Sequence, residues 1–174
     1  MTRHWLVVGG VLVGMSGVSG FAETGKAAIQ GTVEGSTVSG TATVVQTPAG
    51  VQVAVQVSGV APGKHGLHIH QYGDCADQGN AAGGHYNPSN APHGFLPSDG
   101  PERAHAGDFG NLEVGADGTG QLTLTLPPGV ALTGGPHSVA GRAVILHEKP
   151  DDFGQPTGNA GGRIGCGPIL LVKE

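Results

Sequence analysis

The chain has little charge to spend on a charged partner. Only 12% of its residues are Asp, Glu, Lys or Arg, and the formal net charge is −5. The eight Lys and Arg are scattered, with no basic run, so a nucleic-acid partner is not expected. Long apolar runs are also missing. The longest at the N-terminus, Trp5 to Val13, is broken by glycine and falls short of the ~20 residues a membrane-spanning helix needs. No segment shows a 3.6-residue hydrophobic period of useful length, so long amphipathic helices are not expected either.

Cysteine is nearly absent as well, at two residues, Cys75 and Cys166. The N-terminus, "MTRHWLVVGGVLVGMSGVSGFAETG", has a basic head at Arg3 and His4, an apolar stretch and then small residues. That is the pattern of a secretory signal peptide; an uncleaved anchor is the weaker alternative, because the apolar stretch is too short. We assign residues 1–22 to the signal and 23–174 to one domain, exported to a periplasmic or extracellular space. Loss of Arg3 leaves seven Lys and Arg against thirteen Asp and Glu, so the mature chain stands near −6. In an oxidising compartment an even cysteine count points to one disulfide rather than two free thiols.

Glycine (34) and proline (12) together reach roughly a quarter of the 174 residues, the range in which disorder becomes a serious expectation. Alternation argues otherwise. In "GVQVAVQVSGV", Val51, Val53, Val55 and Val57 share one face, and Gln52, Ala54, Gln56 and Ser58 share the other. "GQLTLTLPP" does the same with Leu122, Leu124 and Leu126. "GRAVILHE" and "CGPILLVKE" are short apolar runs, and "APGK", "ADGTG" and "TGGP" mark turns. Short strands punctuated by glycine turns predict an all-β sandwich or barrel. Two segments break the rhythm, about Tyr72 to Ala106 and Pro150 to Gly165. Loops of that length in a compact domain are usually functional, and these lack the apolar residues to anchor themselves.

Histidine is the residue in excess, nine in all. In "GLHIHQYGDC", His68 and His70 are two apart and so share a strand face. His105 and Asp108 in "HAGD" are three apart in a loop. His85 and His93 flank the turn-rich "YNPSNAP", and His147 ends an apolar run. Imidazole is a good ligand for zinc and copper, so the group reads as a metal site.

Five strings, "GLHIHQYGDC", "AGGHYNP", "ERAHAGDFGNL", "GRAVILHEKPDD" and "TGNAGGRIGCG", together resemble copper,zinc superoxide dismutase, from about Lys26 to the C-terminus. The resemblance implies an antiparallel eight-stranded Greek-key β-barrel with two long functional loops. It implies two cofactors. Copper would be held by His68, His70, His85 and His147; zinc by His85, His93, His105 and Asp108; the His85 ring would bridge them. Asp151 resembles the carboxylate that links one copper histidine to one zinc histidine, here His68 and His93. Arg163 resembles the guanidinium that attracts superoxide, and with His85 it forms the catalytic pair. Cys75 and Cys166 resemble the intrasubunit disulfide. A homodimer is compatible with the resemblance, as is a single chain. The rival expectation is a non-catalytic copper- or zinc-buffering protein.

The chain departs from the pattern between "PDD" and "TGNAG". It has only "FGQP" where many members carry a longer, lysine-bearing loop, which leaves steering to Arg163, the metals and Lys149. "HGFLPSDGPERAH" is longer than in some members. His65 and His137 match no ligand position, and are expected at the surface or in hydrogen bonds.

Overall fold

A computed structural model describes residues 23–173. The expected signal segment lies outside them. Eleven strands are present among the described residues: β1 (Thr24–Gly31), β2 (Ser39–Thr47), β3 (Gly50–Ser58), β4 (Gly63–His70), β5 (Asp108–Val114), β6 (Gly120–Leu126), β7 (Val130–Ala131), β8 (His137–Ser138), β9 (Ala143–His147), β10 (Arg163–Pro168) and β11 (Leu170–Leu171). A short α-helical turn, α1 (Leu96–Asp99), and a 3₁₀ turn at Asn80–Ala82 sit in the first long loop. No helix among the described residues is long and apolar enough to cross a membrane.

Eight strands run in the order β10-β9-β4-β5-β6-β3-β2-β1, all pairings antiparallel. β1 then pairs with β10, Gln30 opposite Cys166 and Gly31 opposite Gly165, which closes the barrel. Closure removes the exposed edges that an open sheet would present. β4, β5 and β6 are neighbours in sequence and space, and β9 returns beside β4, which is the Greek-key order. The all-β barrel expected from the strand pattern, eight-stranded and antiparallel as the resemblance implies, is the observed fold.

Alternation decides what fills the barrel. Val51, Val53, Val55 and Val57 point inward and are at most 4% exposed. Leu67 and Ile69 of β4, Leu112 of β5, and Val144 and Leu146 of β9 join them. The other parity of β4 and β9 faces outward, yet it too is buried, because the two long loops lie over it. There Ala143 and Ile145 pack with Ala82 and Cys166 as a small separate apolar cluster. His68, His70 and His147 share this outer face, one step beyond the cluster. The barrel therefore presents histidines to a roofed space rather than to solvent.

The roof is fastened in two ways. Cys75 and Cys166 form a disulfide across 91 residues of sequence, tying the first loop to β10. The loop also ends in close contact with β4. Ile69 donates to the Gly107 carbonyl, Gly107 to that of Tyr86, and Tyr86 to that of Ile69, at 2.8 to 3.0 Å. A Cβ on Gly107 would stand 2.2 Å from the Ile69 carbonyl oxygen, so only glycine allows this approach. Closing a loop of this length restricts the unfolded chain by about 4–5 kcal/mol in the chain-entropy account. The Cys75→Ser, Cys166→Ser double variant should lose about 2–5 kcal/mol of unfolding free energy. Urea denaturation of the metal-free proteins measures this, and an unchanged midpoint would contradict it.

Candidate metal centre

Nine side chains gather under the two loops, from six places in the chain. β4 supplies His68 and His70. The first loop supplies His85, His93 and His105, and β5 begins with Asp108. β9 ends in His147, the second loop carries Asp151, and β10 begins with Arg163. An antiparallel bridge between His70 and His85 holds the first loop against the end of β4. All eight of the histidine and aspartate side chains are buried.

They sort into two groups that share one member. The ligand atoms of His68, His70, His85 and His147 lie within 4.8 Å of one another, as do those of His85, His93, His105 and Asp108. His85 stands between them. Its ring centroid is 4.0 Å from His68 and 5.0 Å from His70 on one side, and 5.3 Å from His93 and 5.4 Å from His105 on the other. Its Nδ1 faces the second group, 3.0 Å from Asp108 Oδ1 and 3.4 Å from His105 Nδ1. That leaves its other nitrogen for the first group.

Hydrogen bonds on the outer ring nitrogens fix which nitrogen of each histidine faces inward. His68 Nε2 donates to Asp151 Oδ2 at 2.8 Å, and His93 Nε2 donates to the same carboxylate at 3.0 Å. His70 Nδ1 donates to the Gly83 carbonyl at 2.9 Å, and His147 Nδ1 to that of Gly161 at 3.3 Å. His70 and His147 are neutral and have then spent their one proton, so the remaining nitrogen of each carries a lone pair. Those lone pairs converge. His70 Nε2 and His147 Nε2 are 3.3 Å apart. His68 Nδ1 and His93 Nδ1 are fully buried with no hydrogen-bond partner. His93 Nδ1 lies 2.9 Å from Asp108 Oδ2, but the pair is not aligned as a hydrogen bond. The facing lone pairs of His70 and His147, this close and this dry, repel unless a cation stands between them. Four imidazoles suit copper; three imidazoles and a carboxylate suit zinc. The residues fit both ions.

Electrostatics divides the two groups. Burial above all pushes His70 down to about 2, His147 to about 3 and His85 to about 4, so these rings are neutral at pH 7. His93 behaves oppositely. Burial opposes its charge, but the Asp108 and Asp151 carboxylates together outweigh burial and raise it to about 9. Both carboxyls lie well below their usual range, burial being overcome by histidine hydrogen bonds. Metal uptake by His93 must therefore release a proton.

Sequence reasoning named these side chains but not the parts that aim them. Asn111 of β5 takes both backbone groups of Asp151: its Nδ2 donates to the carbonyl at 2.9 Å, and its Oδ1 accepts the N–H at 2.7 Å. Gly158 crosses directly over the Asp151 carboxylate. A Cβ there would meet Asp151 Oδ1 at 2.0 Å and His93 Nε2 at 2.6 Å, and its φ is +77°. Gly158→Ala should displace that carboxylate and weaken metal binding about 10–100-fold, the usual cost of disturbing a partner behind a ligand. Chelator competition measures this; unchanged affinity would show that the loop shifts without cost.

Arg163 is the guanidinium beside the first group. Nη1 donates to the Gly79 carbonyl and Nη2 to that of Gly83, both at 2.6 Å. Gly83 is also the carbonyl that receives His70 Nδ1–H, so one loop residue positions both. Backbone carbonyls carry no signal in a sequence. With His70, His85 and His147, Arg163 lines a cavity of about 210 Å³ that also touches Thr157, Asn159 and Gly161.

Lys149 is exposed, its stem beside Gly161 on the same loop. His137 bonds to Ser89 Oγ at 2.7 Å on the surface. His65 is buried, with Nδ1 2.9 Å from the His147 carbonyl and Nε2 2.9 Å from that of Ala61. Its parity with Leu67 and Ile69 was the signal for an inward position.

Residues 38–169 match the family model of copper/zinc superoxide dismutase. The match begins after β1, the strand that closes the barrel. A crystal structure of the clock protein EA4 is similar to this chain at 36% identity, with a TM-score of 0.75, over 88% of this chain and 98% of its own. With the matched segment spanning most of its length, and nearly all the buried polar residues gathered at one histidine-rich centre, the chain belongs to the copper/zinc superoxide dismutase family.

Proposed function

We propose that this protein is an exported enzyme that converts two superoxide anions and two protons to one O₂ and one H₂O₂. His68, His70, His85 and His147 hold copper. His85, His93, His105 and Asp108 hold zinc. When bound, copper supplies a one-electron couple that accepts an electron from one superoxide and returns it to another, while zinc, having no redox couple, supplies fixed charge.

The chain's own residues do the rest. Arg163 draws the anion into a cavity too small for a large substrate and orients it by charge. The guanidinium is fixed before substrate arrives, so little ordering is left to do. The His85 nitrogen facing that cavity holds the proton passed to the peroxide product, while its Nδ1 stays anchored beside Asp108. Asp151 keeps His68 and His93 in single tautomers. The disulfide suits an oxidising compartment.

The observation that carries this reading is Arg163. A metal buffer has no need of a cation held by two carbonyls at the mouth of the copper half. The test is a dismutation assay on chain loaded with both metals, beside metal-free chain, with metal content measured. Catalysis by the loaded form alone is expected. Full loading of both metals without catalysis would favour the buffering alternative.

A further inference from the structure

The segment Phe153–Gln155 occupies the place where many members of the family carry a longer charged loop, and neither steering nor ligation uses it. Its contacts are specific. Gln155 Oε1 accepts the His93 backbone N–H at 2.9 Å, and Gln155 Nε2 donates to the His93 carbonyl at 2.8 Å. A side-chain amide thus pairs with a backbone as a neighbouring strand would, in a loop with no strand beside it. The Phe153 ring lies over His93, centroids 6.3 Å apart and planes 23° from parallel, and meets Phe95 edge-on at 6.3 Å. Phe95 in turn rests on Gly110 of β5, where a Cβ would approach its ring to 3.0 Å.

From this we infer that Gln155 is a positioning residue for the zinc half, a clip that holds the His93 backbone while Asp151 holds the His93 ring. The inference rests on the zinc assignment above. Asp151 and Gln155 stand four residues apart on one short turn, and Asn111 secures that turn to β5 through the Asp151 backbone. His93 is therefore gripped at ring and main chain by one short turn. The shortened loop trades added surface charge for a tighter hold on one ligand. Ligand groups held before binding lose less freedom when the ion arrives, and the effect shows mainly in slower release.

The experiment follows zinc release from the fully metallated protein into a chromophoric chelator. Gln155→Ala should release zinc about tenfold faster, the low end of the effect of removing a ligand's outer support, because Gln155 itself is exposed. Gln155→Glu keeps an acceptor for the His93 N–H but loses the donor, and should fall between the two. Gln46→Ala is the control. It removes a similar bond, from the Leu132 N–H at 2.9 Å, far from the centre. It should lower thermal stability without changing zinc release. The electronic spectrum of cobalt substituted for zinc should shift in Gln155→Ala and not in Gln46→Ala. Equal release and spectra in wild type and Gln155→Ala would overturn the clip. A wild-type chain that binds no zinc would instead sink the assignment on which it rests.

Discussion

His147→Ala is expected to strip copper from the protein, cut dismutation at least a hundredfold and leave zinc near one ion per chain. The reasoning is geometric. His147 belongs only to the first group of ligands, at the end of β9, on the face opposite Val144 and Leu146. Its removal leaves His68, His70 and His85 aimed at the same point with one lone pair fewer. Outer partners of metal ligands alone are worth about 10–100-fold in affinity, so a ligand itself should be worth at least the upper end. The second group, His85, His93, His105 and Asp108, does not touch His147 through its ligand atoms. Metal analysis after dialysis against limiting chelator checks both halves. Loss of zinc together with copper would contradict the division of ligands.

Arg163→Glu is the second large effect. The protein is acidic, with a formal charge of −5, so distant charge repels an anionic substrate. Only a local positive field can reverse this, and fields of that kind raise association rates by about 10–10³-fold. Reversing the sign of the one guanidinium at the cavity should slow turnover at low salt by about 10–100-fold. Salt should act in opposite directions on the two proteins. Wild type slows as salt rises, because screening shortens the reach of attraction; the variant speeds up or stays flat, because screening relieves repulsion. The new carboxylate would also face the carbonyls of Gly79 and Gly83, so Arg163→Lys is the companion variant. It keeps the charge but loses the paired hydrogen bonds, and should keep the salt slope at a reduced rate. Stopped-flow superoxide decay across ionic strength separates these outcomes. A variant with wild-type rate at low salt would remove Arg163 from the reaction.

Much of this is legible in the sequence. Strict alternation in β3 gave its buried valines, because a one-residue slip would turn them to water. The two-residue spacing of His68 and His70 gave a shared face, and the apolar run before His147 placed a third histidine at a strand end. Other features were invisible for physical reasons. Closure of β1 on β10 depends on barrel geometry rather than on any residue in either strand. The clamp on Arg163 is made of Gly79 and Gly83 carbonyls, and every residue has a carbonyl. Gly158 looked like one glycine among 34 until its α-carbon was found against a carboxylate. Gln155 appeared only as part of a missing loop. His65 was readable by parity with Leu67 and Ile69, yet a histidine inside a barrel runs against its usual exposure.

The central claim is that one ring, His85, joins the two halves of the centre. The most direct measurement replaces zinc with a second copper and records the magnetic behaviour of the pair at neutral pH. Strong coupling, with the spin resonance signal falling far below that of two independent ions, is the predicted result. Two full-intensity signals that ignore each other, or a single bound ion, would contradict it.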